Sequence, residues 1–234
     1  MNEQNSYYAF ISYNSADEKW AKWLQHNLEY YYIPSALCKE YPELPKKIRP
    51  VFWYKQDLSG TKLKKALNNE LSSSKYLIVI CSPDSAKADW VNDEVVAFIE
   101  QGKGDRIIPF IVAGTPHAKN PDEECFPPVL RNLTRDEEIR GIDVRRKEGK
   151  SHALVDVIAT MFGVRFDVFI SYASKDRQIA TAIFEALKNM NVKAWFDDGG
   201  GGRDYSWATI LGEKRLPIFK NIISMAINRY YFML

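Results

Sequence analysis

The sequence predicts an α/β fold in which a five-stranded parallel sheet carries helices on both faces. Apolar strand segments alternate with segments of helical periodicity along the first 165 residues, which is typical of β-α-β units. Because right-handed crossovers join parallel strands, this alternation favours the flavodoxin-like strand order 2-1-3-4-5. In that order, ligands bind where the carboxyl ends of the first and third strands meet.

The predicted strands cover residues 7–13, 48–54, 76–81, 106–112 and a short stretch near Ile142. A turn at Ser82-Pro83-Asp84 and a proline-rich acidic loop after residue 112 connect them.

The predicted helices cover residues 17–32, 61–72, 90–101 and 151–162. Asp17 is expected to cap the first of them. Large residues recur along that helix at helical spacing and are assigned to the core: Trp20, Trp23, Leu24, Leu28 and Tyr31.

Composition and charge exclude several classes of protein. The 234 residues are 46% hydrophobic and 26% charged, and the net charge of +2 provides no field for nucleic acid. The polar start lacks the pattern of a signal peptide, and no apolar run approaches the roughly 20 residues that cross a bilayer. Three cysteines and three histidines show neither pairing nor metal-ligand spacing. We therefore expect a cytoplasmic protein with reduced thiols that binds no metal, nucleic acid or membrane.

Candidate functional residues follow the carboxyl ends of the first and third strands. Phe10-Ile11-Ser12-Tyr13 ends the first strand, and Ser82 ends the third. Trp90 and Glu94 lie four residues apart, so they share one face of the next helix. An aromatic plate beside a carboxylate at this edge can hold and split a nucleotide, which makes Glu94 the candidate catalytic residue. The alternatives are a solvated Glu94 favoured by the helix dipole and a Trp90 that buttresses the helix.

The chain beyond residue 163 repeats the beginning. The segment from Phe169 to Asp176 restates the segment from Phe10 to Asp17, and a helix and a strand are predicted to follow it. The repeat then stops before any counterpart of the Trp90–Glu94 helix.

Two domains are therefore predicted, a complete one over residues 6–165 and a truncated copy over residues 166–234. A partial α/β repeat buries too little surface to be independent, so it is expected to pack on the first domain, pair with another chain or stay partly disordered. A degenerate ending without function is a further alternative. The run from Gly199 to Gly202 is predicted to be a flexible loop, with a phosphate cradle as the alternative.

The motifs, taken in order, resemble the Toll/interleukin receptor (TIR) domain, and more narrowly its bacterial members. Six pieces between residues 6 and 165 carry the resemblance: Phe10 to Tyr13, Arg49 to Phe52, Asp57 to Gly60, Tyr76 to Pro83, Trp90 to Val95 and Arg106 to Phe110. The pair Trp53-Tyr54 departs from a stretch that is usually more charged in bacterial relatives.

The resemblance implies a function, and it implies roles for individual residues. Many TIR domains cleave the nicotinamide–ribose bond of NAD+, which is their substrate and not a cofactor, and Glu94 matches their catalytic glutamate, with Trp90 as its partner. Residues after the first strand, here Phe10, Ser12 and Tyr13, would line the pocket. The loop that contains Asp57, Leu58 and Ser59 would mediate self-association and complete the site of a neighbouring subunit.

Two function classes follow. The first is an NAD+ nucleosidase, hydrolytic or cyclising, that is activated by self-association and acts in antiviral defence or growth arrest. The second is a non-enzymatic adaptor that binds other TIR domains through the Asp57-Leu58-Ser59 loop. Glu94 favours the enzyme, because an adaptor has no need of this carboxylate.

Overall fold

Five parallel strands form the main sheet in the computed structural model. Their order is β2-β1-β3-β4-β5, and every pairing between neighbours is parallel. This confirms the predicted fold class and strand order. The strands are β1 (Tyr7–Ser12), β2 (Val51–Phe52), β3 (Ser74–Cys81), β4 (Ile107–Ile111) and β5 (Ile142–Asp143).

The structure describes residues 6–33, 38–39, 41–54, 61–136, 141–146, 149–163, 168–171, 177–189, 194–196 and 209–211. The chain divides into two units, the first formed by residues 1–31 and 47–161 and the second by residues 32–46 and 162–234.

Helices cover both faces of the main sheet. They are α1 (Glu18–Tyr30), α2 (Thr61–Ser72), α3 (Pro83–Ala86), α4 (Asp89–Glu100), α5 (Pro128–Asp136) and α6 (Gly149–Phe162). Among the described residues, no helix is long and apolar enough to cross a membrane.

The core divides into two layers because side chains alternate between the faces of each strand. On one face, residues of α2, α4 and α5 join those of β1 and β3 in a single buried cluster: Leu71, Val91, Val95, Phe98, Leu130, Phe10, Leu77 and Val79. On the other face, Trp20 and Trp23 of α1 lie against Phe110 of β4. The ammonium of Lys150 in α6 sits 4.5 Å from the Trp20 ring centre. The helical spacing of the two tryptophans thus corresponds to packing, although both remain half-buried.

Several local expectations need correction. Asp17 is the N-cap residue of α1, as expected, but its side chain makes no capping hydrogen bond, because its carboxylate accepts from the hydroxyls of Ser82 and Ser85. The Asn14 side chain caps the preceding turn of 3-10 helix. Ser82-Pro83-Asp84 is not a simple turn but begins α3, since proline suits the first turn of a helix. The expected loop after residue 112 contains α5, and β2 is shorter than residues 48–54.

The second unit holds a three-stranded sheet in the order β7-β6-β8. Its elements are β6 (Val168–Ser171), α7 (Arg177–Asn189), β7 (Ala194–Phe196) and β8 (Thr209–Leu211). The parallel β6-α7-β7 arrangement has the same order as β1-α1-β2, and α7 buries Ile183 and Leu187 beside Ile170. The third strand, β8, pairs antiparallel to β6, whereas β3 is parallel to β1. Residues 199–202 lie outside the described residues, and the truncated-copy interpretation stays a prediction.

A buried lysine joins two elements at the amino-terminal end of β3, the end opposite to the predicted crevice. Lys103 is only 7% exposed, and its ammonium donates to the backbone carbonyls of Ser72, at 2.7 Å, and Ser74, at 3.1 Å. These carbonyls end α2 and begin β3, so one side chain satisfies acceptors from both elements. The ammonium also lies over the Phe98 ring at 5.5 Å.

Lys103→Met should destabilise the protein, because an apolar side chain of similar length leaves the two carbonyls without their charged donor. We expect the free energy of unfolding to fall by about 2 kcal/mol. Chemical denaturation of the variant measures it, with the exposed Lys119→Met as the matched control. Equal midpoints for the two variants would contradict this role of Lys103.

Candidate functional site

Helix α4 places the Glu94 carboxylate inside the apolar face that packs on the sheet. Glu94 lies one turn from Val91 and one turn from Phe98, both fully buried, and is itself only 8% exposed. The neighbouring Asp93 is exposed, because a step of one residue turns the side chain about 100° around the helix. Glu94 is therefore not the solvated surface residue that the alternative interpretation describes.

The carboxylate meets the ends of β1 and β2. The Tyr54 hydroxyl donates to Glu94 Oε1 at 3.0 Å. Phe10 of β1 pairs with Phe52 of β2, so Ser12 and Tyr54, two residues further along, follow on the same face at the carboxyl ends. The Tyr54 ring lies 6.1 Å from the Phe10 ring and 6.5 Å from the Phe52 ring. These packed rings aim the hydroxyl of Tyr54 at Glu94.

Two buried oxygens at this position lack hydrogen bonds of normal geometry within the part of the chain that the structure describes. They are Ser12 Oγ and Glu94 Oε2. Leaving a buried polar group unsatisfied costs about 1–3 kcal/mol, so native proteins rarely retain such groups without a reason. A hydroxyl-bearing ligand would satisfy both, because it can donate to the carboxylate and accept from the serine.

Burial raises the pKa of Glu94 to about 7. Removing the carboxylate from water disfavours its charged form, and the charge of Asp93 acts in the same direction. The side chains of Ser12 and Tyr54 oppose this shift, because each favours the ionised carboxylate. Glu94 therefore titrates close to neutral pH, in the range where acid–base or charge-stabilising groups of active sites often titrate.

Trp90 borders the site at the start of α4. Its large side chain is 40% exposed. The indole N–H donates a long hydrogen bond to the backbone carbonyl of Tyr13, with 3.4 Å between nitrogen and oxygen. Tyr13 is fully buried and its hydroxyl donates to the backbone carbonyl of Tyr54. Trp90 thus contacts the end of β1 and still presents an aromatic surface to a ligand.

Not every predicted site residue reaches Glu94. Phe10 belongs to the core, stacked on Phe52 with ring centres 5.2 Å apart. The Ser82 hydroxyl donates to Asp17 Oδ2 at 2.5 Å and accepts from the Ser85 backbone N–H at 3.1 Å, so it joins the β1–α1 and β3–α3 connections. The predicted loop residues Asp57, Leu58 and Ser59 lie outside the described residues.

The structure thus brings Ser12, Tyr13, Trp90 and Glu94 together, and it adds Tyr54, which sequence reasoning missed. The signal available for Tyr54 was its position two residues after Phe52 in a strand that neighbours β1. The register between those strands, which decides the contact, is not written in the residues. Among the described side chains, no three of His, Cys, Asp or Glu converge as ligands for a metal ion.

Glu94→Gln should remove a pH dependence from the stability of the fold. The folded protein holds the Glu94 proton more tightly than the unfolded chain, so stability falls as pH rises from about 4.5 to about 7. The loss at pH 8 is about 3 kcal/mol, and the neutral amide avoids it. Denaturation at pH 5 and pH 8 measures the difference, with the exposed Glu100→Gln as control. A Glu94→Gln variant with the wild-type pH dependence would contradict the burial of a charge here.

Comparison with known proteins places the chain in a family. Among solved structures, the TIR domains in a structure of the activated Roq1 resistosome directly recognizing the pathogen effector XopQ match with 20% identity, over 67% of this chain and 100% of that chain. The TM-score of 0.43 is too low for this likeness to carry an argument about function. No curated protein matches significantly. The family model of the TIR domain matches residues 9–156, which include the main sheet and Glu94, and the chain therefore belongs to the TIR domain family.

Proposed function

We propose that this TIR domain is an enzyme that cleaves the nicotinamide–ribose bond of NAD+, with Glu94 as its catalytic residue. The observation that carries the proposal is a carboxylate buried in the apolar face of α4, one oxygen of which, like the nearby Ser12 hydroxyl, is buried without a hydrogen bond of normal geometry among the described residues. A carboxylate buried at this cost to stability suits a site that must act on a positive charge.

Cleavage of the nicotinamide–ribose bond requires little from the protein beyond the negative charge of the carboxylate. The nicotinamide ring of NAD+ is cationic, and when its bond to the ribose breaks, the bonding electrons leave with the ring nitrogen. Nicotinamide then departs as a neutral molecule, and the positive charge develops on the ribose. A fixed carboxylate in a desolvated site stabilises this charge, so the second carboxylate that most glycoside hydrolases use is not required.

Each residue of the site has a role in this scheme. Glu94 Oε2 accepts a hydrogen bond from a ribose hydroxyl and stabilises the ribosyl cation. Ser12 binds the same sugar through its hydroxyl, and the exposed face of Trp90 borders the substrate. Water completes a hydrolysis, whereas a nitrogen of the substrate's own adenine completes a cyclisation.

Assembly is part of the proposal. TIR domains associate with one another, and we assign the loop containing Asp57, Leu58 and Ser59 to contacts between copies that complete the site. Activity in the cytoplasm would then depend on self-association and would serve antiviral defence signalling. The alternative is an adaptor that signals through TIR–TIR contacts alone, and the burial of Glu94 favours the enzyme over it.

Nicotinamide release from NAD+ by concentrated protein tests the catalytic assignment. We expect Glu94→Ala to lower the rate by about 100-fold or more, because the variant loses the charge that stabilises the ribosyl cation. Glu100→Ala is the matched control, since it removes an exposed carboxylate of the same helix, and it should keep the wild-type rate. Chromatographic quantification of nicotinamide measures both.

Two results would contradict the assignment. Equal rates from wild-type protein and Glu94→Ala would mean that another residue carries the reaction. No release from folded protein, even under crowding that drives assembly, would favour the adaptor.

The rate should depend on pH through Glu94. Because the ionised carboxylate is the active form and its pKa is raised to about 7, kcat/KM should rise through neutral pH and level off above about pH 8. The Glu100→Ala control should show the same rise. A profile that is flat between about pH 5.5 and 8.5 would show that no group with such a pKa acts in the free enzyme.

A further inference from the structure

Tyr54 holds the Glu94 carboxylate through Oε1 and not through Oε2. Its hydroxyl donates to Oε1 at 3.0 Å, while Oε2 has no hydrogen bond of normal geometry among the described residues. The backbone of Tyr54 is held in turn, because its carbonyl accepts from the buried Tyr13 hydroxyl. Tyr13 and Tyr54 also contact through their rings, with centres 6.1 Å apart.

We infer that Tyr54 is the positioning residue of the site: it engages Glu94 Oε1 and so leaves Oε2 to face Ser12 and the substrate. Oε1 thus binds the protein, and Oε2 is left to bind the ligand. The catalytic consequence rests on the proposed function, whereas the contact and its effect on Glu94 do not.

The contact also contributes to how much of Glu94 is ionised. The groups that act on the carboxylate within the described chain come from three elements: Asp93 from α4, which disfavours its charge, and Ser12 from β1 and Tyr54 from the end of β2, which favour it. Among these, Tyr54 makes the hydrogen bond of normal geometry. Hydrogen bonds to a charged group are stronger than those between neutral groups. Removal of the phenol hydroxyl should therefore raise the pKa of Glu94.

Orientation is the second consequence. A carboxylate without the Tyr54 contact is free to rotate about its last side-chain bond, because that torsion has only a weak preference of its own. Oε2 would then spend less time toward Ser12, and catalysis would lose the benefit of a preoriented charge. A merely structural Tyr54 would lower the stability of the protein without moving either property.

The test is Tyr54→Phe, which removes only the hydroxyl, in the full chain with ¹³C-labelled glutamate carboxyls. Glu94→Gln assigns the Glu94 signal. NMR titration should show the pKa of Glu94 raised by about one unit above the wild-type value, the equivalent of one charged hydrogen bond. A monofluorinated tyrosine at position 54, whose hydroxyl is a stronger donor, should lower it. This second variant keeps the test decisive if the phenylalanine variant folds poorly.

Tyr76→Phe is the matched control. It likewise removes a partly buried phenol hydroxyl, but this one donates to the backbone carbonyl of Met161, and Tyr76 lies near the amino end of β3, away from the carboxyl ends where Glu94 sits. It should leave the Glu94 titration unchanged. At pH 7, Tyr54→Phe should lower kcat for nicotinamide release about tenfold with little change in KM, and higher pH should restore part of the loss.

Each outcome decides the inference. An unchanged Glu94 titration in Tyr54→Phe would overturn it, whatever the activity. A shifted titration with the predicted fall in kcat supports it in full. A shifted titration in a protein whose wild type releases no nicotinamide would support the contact while overturning the proposed reaction, so the two failures are distinguishable.

Discussion

The site depends on one carboxylate that the fold removes from water, that of Glu94. Glu94 occupies a position on the apolar face of α4, where a leucine would stabilise the fold more. Burial at this position disfavours the charged form of the carboxylate. The groups that favour its ionised form, the hydroxyls of Ser12 and Tyr54, come from strands far away in the sequence. The geometry of the sheet edge is therefore what allows a charged Glu94 to exist near neutral pH.

Strand order supplies that geometry. Because β1 lies between β2 and β3, the carboxyl ends of β1 and β2 and helix α4 meet above one face of the sheet. Aromatic packing among Phe10, Phe52 and Tyr54 then sets the position of the Tyr54 hydroxyl. At the same end of the sheet, the Ser82–Asp17 hydrogen bond joins the connection that follows β3 to the one that follows β1. A serine that sequence position alone would assign to the ligand thus supports the scaffold.

The sheet and its order could be predicted because alternating strands and helices allow few topologies, and the Trp90–Glu94 spacing located the helix of the site. The burial of Glu94 and its contact with Tyr54 could not be predicted from the sequence. Both depend on strand register and helix rotation, which no local pattern encodes. The hydrogen bond between Ser82 and Asp17 could not be predicted for a related reason. Their spacing allowed ligand binding and helix capping, but each side chain found the other across the crevice. In the second unit, β8 pairs antiparallel to β6. The sequence repeat ends before β8, so no segment of the first domain predicted this strand.

In the proposed reaction, the buried Glu94 Oε2 and the Ser12 hydroxyl receive the ribose beside a cationic ring. Calorimetric binding of a non-cleavable NAD+ analogue, in buffers of different ionisation enthalpy near pH 7, tests it most directly. A bound cation and a ribose hydroxyl both favour the carboxylate form of Glu94, so binding should release about half a proton, and Glu94→Gln should release none. Equal proton release by the two proteins, or an analogue that binds neither, would contradict the account.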